Sequence, residues 1–404
     1  MTALAQMSPD RPDNVPADRL FDIDIYMPNP EKGDYHAAWS KVHDFTDRQL
    51  IWTPRNDGHW VAVRADAITA VLSDYEHFSN RVIFVPRSSG EAHNIIPTTL
   101  DPPAHRPYRN ILNASLAPKS VNRLEPRFRT IAGELMDAFE ARGWCNFTTE
   151  FAEHFPIRIF MEIIDLPVAD APRLKRLADQ TIRPDGSMTY EQALQGLYDY
   201  LQPHLEARRG GGGQDMLSRI VNGEVGGRAV TMQEAREMGA QMLIAGLDTV
   251  VNFLGFIMAF LAVNDDERRW LAADPANIPG FINELLRRFG IVTTGRIVRE
   301  DYEFDGVLLR AGDMVMVPTG LYGIDPALYE DPLRVRRDRG GIRHSAFGFG
   351  NHVCPGAHLA RAEVLATLEE WLSRIPEFRL KRGSALDYTG GIVAHIEQVQ
   401  LEWD

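Results

Sequence analysis

The most hydrophobic stretch of the chain runs from Gln241 to about Val263, and Thr231 followed three positions later by Glu234 supplies the capping box at which its helix should begin. A helix apolar on nearly all sides is the central helix of a large globular core. Its hydrophobicity approaches that of a membrane span, but Asp248 interrupts it, and a span needs about 18 apolar residues with few or no charges. Ala245, Asp248, Thr249 and Asn252 sit at helical spacing and share one side of this helix. That stripe is open to two readings. It is functional, or the helix is kinked beside Gly246, with Thr249 bonded back to a carbonyl and Asp248 in a salt bridge.

Alternation marks the β regions. Two short apolar runs between Ile51 and Val63 flank Asn56-Asp57-Gly58, a hairpin signature. A second β region is expected over Arg296–Pro318, around Asp305-Gly306, and a third over Gly391–Trp403. Most of the remainder is helical in pattern. Gly210-Gly211-Gly212-Gly213 reads as a flexible connection between helices, since no strand precedes it and no Gly-Lys-Ser/Thr follows. Pro9, Pro12 and Pro16 mark residues 1–20 as a flexible N-terminal arm. The chain therefore reads as mainly α, with one domain over residues 21–404 and small β pieces to one side.

Composition narrows the function. A net charge of −13 over 404 residues, with 44% hydrophobic positions, describes a globular protein and argues against general binding to nucleic acid or to an anionic membrane. The two cysteines, Cys145 and Cys354, form no disulfide framework, and the N-terminus lacks the pattern of a signal peptide, so a cytoplasmic location is expected.

Cys354 nevertheless has unusual neighbours: Phe347-Gly348-Phe349-Gly350-Asn351-His352-Val353-Cys354-Pro355-Gly356. Glycines on both sides let the backbone turn tightly and approach a flat object closely. A helical pattern starts just beyond, and its positive end would stabilise a thiolate. No second cysteine stands nearby for a zinc site. Glu284 and Arg287, three apart, can pair on one helix face.

These three elements together resemble the cytochrome P-450 family of haem-thiolate monooxygenases. The Cys354 loop is similar to its haem-binding signature, Glu284-Leu285-Leu286-Arg287 to its Glu-x-x-Arg pair, and Ala245-Gly246-Leu247-Asp248-Thr249 to its oxygen-activating stretch. The resemblance spans Phe21 to Trp403 and is nearest to the bacterial camphor-hydroxylating branch, on Phe155-Pro156-Ile157-Arg158, Arg183-Pro184-Asp185-Gly186-Ser187-Met188 and Leu247-Asp248-Thr249-Val250-Val251-Asn252. It implies a P-450 fold with haem b (iron protoporphyrin IX) between the long central helix and the cysteine loop. Cys354 would be the iron ligand, a thiolate whose electron donation favours dioxygen cleavage. Pro355, which has no N–H, would leave that thiolate more electron-rich. Thr249 would hydrogen-bond the dioxygen, and Asp248 would pass protons in from solvent. Arg109, Arg296 and His352 would hold the haem propionates, with help from Thr98 and His105. Glu284 and Arg287 would be structural supports.

The same resemblance places Phe84, His93, Ile95 and Gln241 around a substrate, with Ile244, Ala245, Val292 and Thr294 as further wall and Ile392 and Val393 closing it. His93 stands where the camphor enzyme has a tyrosine that donates to a ketone, and a neutral imidazole can still donate one hydrogen bond. Ile95 replaces an aromatic residue, Gln241 an apolar one and Thr294 an aspartate. The expected substrate is a small terpenoid or norisoprenoid ketone of the ionone or camphor type, with camphor 5-monooxygenase proper, peroxide-driven oxygenation and a haem-based sensor as alternatives. Arg81 stands where a glutamate of the camphor enzyme's potassium site would be, so that site should be weakened or absent. Arg334, Arg336, Arg337, Arg339 and Arg343 give their segment a charge of +4 with Asp338 included. With Arg109 they suggest a docking face for an acidic two-iron, two-sulfur ferredoxin, served by its NADH-dependent reductase.

Overall fold

The computed structural model describes residues 2–3 and 11–404. Eight helices position the site: α1 (Arg87–Ala92), α2 (His105–Leu116), α3 (Ala171–Ile182), α4 (Tyr190–Arg208), α5 (Met232–Gly246), α6 (Thr249–Val263), α7 (Ile278–Arg288) and α8 (Ala357–Arg374). Thr231 caps α5 in a capping box with Glu234, as its spacing predicts. α6 is buried along most of its length, among them Phe253, Leu254, Phe256, Ile257, Met258 and Leu261. It is the core helix that its near-uniform hydrophobicity implies.

The main sheet contains β1 (Leu50–Thr53), β2 (His59–Ala62), β3 (Phe78–Ser79), β4 (Thr293–Val298) and β5 (Met314–Pro318), in the order β1-β2-β5-β4-β3. β2 and β5 run parallel and the other pairs antiparallel. The β1–β2 turn is made by Asn56, Asp57 and Gly58, all at positive φ, which matches the hairpin chemistry of the sequence. In β4 the register sets Thr294 opposite Val317 and Arg296 opposite Val315. Because side chains alternate along a strand, Thr294 and Arg296 share one face.

The structure bears out the kink beside Gly246 and revises two expectations. The central helix is two helices, broken at Leu247 and Asp248. A Cβ on Gly246 would lie 2.5 Å from the Phe160 ring, so only glycine admits this close packing at the break. The flexible arm ends before residue 20: Val15, Arg19 and Leu20 are buried, and Arg19 is ion-paired with Asp305. Residues 1 and 4–10, including Pro9, lie outside the described residues. The second β region begins at Thr293, and Asp305-Gly306 turns a separate two-stranded ribbon, Tyr302–Phe304 with Val307–Leu309.

Candidate haem-thiolate site

Cys354 lies at the end of a loop whose shape its glycines permit. Gly348 and Gly350 adopt φ of 70° and 69°, and a Cβ on Gly350 would come within 2.8 Å of the Ser73 backbone. The Cys354 N–H donates to the Phe347 carbonyl at 2.8 Å, and α8 begins three residues further on. Burial raises the thiol's pKa, while the Gly356 backbone, Arg109 and Arg361 favour the thiolate. Cys354 is nonetheless exposed. A group that is surrounded by protein yet open lines a hollow. Cys145, by contrast, is fully buried in a strand, where desolvation pushes its thiol up.

Cationic groups gather near this loop without matching carboxylates. Arg296 is 3% exposed, its one hydrogen bond goes to the Gly295 carbonyl at 2.7 Å, and burial lowers its pKa to about 10. The His105 and His352 rings are 4.1 Å apart, and Nε2 of each is sealed from solvent without a partner. Burial and neighbouring positive charge push His105 to about 4 and His352 to about 2. Asp101 offsets Arg296 and His105 only in part, because Ser79, Asn80 and Arg299 hold its oxygens. Arg109 donates to the Val353 carbonyl. Thr98 is half-buried, and its carbonyl accepts from Asn80. Buried donors lacking acceptors are a receptor for acids brought by another molecule. Together with an accessible cysteine sulfur, this donor set fits the iron and propionates of haem b.

On the helical side, Ala245 is exposed although Leu243, Ile244 and Leu247 are buried, so α5 borders a hollow there. The Thr249 hydroxyl donates to the Ala245 carbonyl at 3.2 Å, and the Asn252 amide donates to the Asp248 carbonyl at 2.9 Å. Asp248 is 2% exposed and accepts two bonds from Arg183, at 2.9 and 2.6 Å. Its carboxylate thus leaves the start of α6 uncapped and faces α3 instead. Both elements of the structural reading of the stripe, the back-bonded threonine and the salt bridge, are present. The salt bridge also leads outward: Arg183 reaches Asp179, which Lys175 pairs at 2.7 Å. All three line an open cleft of about 630 Å³.

The expected substrate wall is assembled only in part. Val292 bridges to Val393, and the Thr293 N–H donates to the Ile392 carbonyl at 2.8 Å, which joins this turn to the strand that carries Thr294. Gln241 lies on the same side of α5 as Ile244 and Ala245, and its Oε1 is sealed without a donor. Phe84 meets His93 edge-on with ring centroids 4.8 Å apart. Ile95 is fully buried, in the same packed core as Ile244 and Val393. His93 is buried, its pKa is lowered to about 4, and Nδ1 lies 2.7 Å from the Tyr190 hydroxyl. Sequence reasoning missed Tyr190 and the roles of Arg183, Asp179 and Lys175. The Lys175/Asp179/Arg183 spacing was a usable helical signal, whereas nothing local connects residues 93 and 190.

The structural supports are where their spacing puts them. Glu284 and Arg287 are buried and doubly hydrogen-bonded at 2.7 Å, and Arg287 also donates to the carbonyls of Gly323, Pro332 and Arg334. This arrangement corrects the expected basic face. Arg339 turns inward to Glu284, Arg336 pairs with Asp338 and Glu330, and Arg337 pairs with Glu267. Arg334, Arg337 and Arg343 remain exposed.

The family model described as Cytochrome P-450 matches residues 278–393. The protein named "Probable cytochrome P-450 127A1" of Sinorhizobium fredii is 34% identical over 97% of this chain and 96% of its own length. The cytochrome P-450 monooxygenase PikC of Streptomyces venezuelae is 31% identical over 92% of this chain and 91% of its own. Among solved structures, CYP101J2 matches with a TM-score of 0.92 and 49% identity, covering 98% of this chain and 99% of that one. CYP101C1 matches with a TM-score of 0.90 and 40% identity, covering 98% and 100%.

Proposed function

Since the chain belongs to the cytochrome P-450 family and is a haem b monooxygenase whose iron is held by a cysteine thiolate, we propose that it hydroxylates a small oxygen-bearing terpenoid or norisoprenoid. What supports this reading is the make-up of the expected substrate wall. It is apolar along Ile244, Val292, Ile392 and Val393, with a neutral His93 as a hydrogen-bonding group. Similarity to two CYP101 structures supports the same class.

In this reading Cys354 binds the haem iron, and Arg296, His105, His352 and Arg109 receive the propionates. Bound haem supplies dioxygen activation. Thr249 holds the dioxygen in place by a hydrogen bond. Asp248 relays protons, turning between Arg183 and the hollow, and the cleft at Lys175 and Asp179 is the source of water. Electrons come from a two-iron, two-sulfur ferredoxin and its NADH-dependent reductase in the cytoplasm. The ferredoxin docks near Arg109, the exposed Val353 and Arg343, a smaller surface than five free arginines would have made.

A spin-state titration of the ferric protein against terpenoids and norisoprenoids tests the substrate class. Saturable conversion by a member of the panel, followed by hydroxylated product on turnover with ferredoxin and NADH, is expected. No spectral response to any member, or binding without product, would contradict the proposal.

A further inference from the structure

Tyr190 has no role in the family signature and no local sequence signal, yet it makes a single side-chain hydrogen bond, 2.7 Å to Nδ1 of His93. It is the first residue of α4, three positions after the exposed stretch Pro184–Ser187, whereas His93 is the C-cap of α1. The bond therefore ties together two segments 97 residues apart.

The chemistry of the pair favours one polarity. Desolvation keeps the phenol protonated and the imidazole neutral. Among the described residues the phenol has no other hydrogen-bond partner, so the arrangement that satisfies its proton within the protein has Tyr190 donating to Nδ1 and the ring's one proton on Nε2. Nε2 makes no hydrogen bond among the described residues and is not sealed from solvent. Phe84, edge-on at 69°, holds the ring plane.

We infer that Tyr190 is a positioning residue for substrate selection: it latches the start of α4 to the end of α1 and fixes His93 as an Nε2–H donor, so that the pocket favours ligands carrying a hydrogen-bond acceptor, a ketone or ether oxygen, over their hydrocarbon counterparts. The inference rests on the terpenoid-hydroxylase reading for the ligand's carbon skeleton, but the tautomer does not.

Two measurements on the holoenzyme separate the two. The first is 15N NMR of histidine-labelled protein in the diamagnetic ferrous carbon-monoxide form, with His93 assigned by its loss in His93→Phe. The expected result is a protonated Nε2 and a hydrogen-bonded, unprotonated Nδ1 that shifts in Tyr190→Phe. A protonated Nδ1 in the wild type, or no change in Tyr190→Phe, overturns the inference whatever the substrate is.

The second is spin-state titration with a bicyclic terpenoid ketone or ether and its deoxygenated analogue. The wild type should prefer the oxygenated ligand by about tenfold, as one hydrogen bond warrants. Tyr190→Phe should reduce that preference several-fold, and Tyr190→Phe/His93→Phe should be no worse than His93→Phe alone. Equal weakening of both ligands by Tyr190→Phe would reduce Tyr190 to a structural contact and overturn the inference. If neither ligand binds the wild type, the terpenoid reading and this ligand preference fail together, and the NMR result alone decides the tautomer.

Discussion

His59 offers a direct link between burial and pH stability. It lies in β2 at 1% exposure, and neither ring nitrogen has a hydrogen-bond partner. Burial lowers its pKa from 6.5 to about 4, offset only in part by the Asp24 carboxylate. A base held below its unfolded value binds fewer protons when folded. Stability is therefore lost as the pH falls through 6.5, and the loss levels off below about 4. Between about pH 7.5 and pH 5 this single residue should cost about 2 kcal/mol. His59→Leu removes the titration and the two unsatisfied nitrogens, so it should also stabilise the protein at neutral pH, by about 1 kcal/mol or more. Urea unfolding of both proteins at both pH values gives the double difference. Contributions from His36 and His395, whose pKa values are also lowered by burial, cancel in it. A pH dependence equal in the two proteins would refute the reasoning.

Other substitutions test the site. Thr249→Ala should preserve ligand affinity but divert electrons to peroxide, measured as product formed per NADH consumed. Gly246→Val should damage folding or haem content, because its Cβ would meet the Phe160 ring at 2.5 Å, and pairing it with Phe160→Ala should restore part of the loss. Glu284→Ala should cost about 3–5 kcal/mol in thermal or urea unfolding, because it leaves the fully buried Arg287 guanidinium without its carboxylate.

The features legible in the sequence were those set by local chemistry. Thr231 and Glu234 marked a helix start, Asn56-Asp57-Gly58 a hairpin, and Phe347–Gly356 the thiolate loop. The break at Asp248 was legible as one of two readings, and the structure contains it because Arg183 draws the carboxylate away from the helix start. Long-range pairings were not legible. Arg336, Arg337 and Arg339 read as a basic face, yet their partners include Glu330, Glu267 and Glu284, and only the fold brings Glu267 and Glu284 near. Tyr190 escaped for the same reason, since its partner lies on another element.

The account depends above all on Cys354 as the iron ligand, and the spectrum of the reduced carbon-monoxide complex tests that assignment. The wild type should show the long-wavelength Soret band of thiolate-ligated haem, and Cys354→Ala should lose it while Cys145→Ala keeps it. Survival of the band in Cys354→Ala would contradict the assignment.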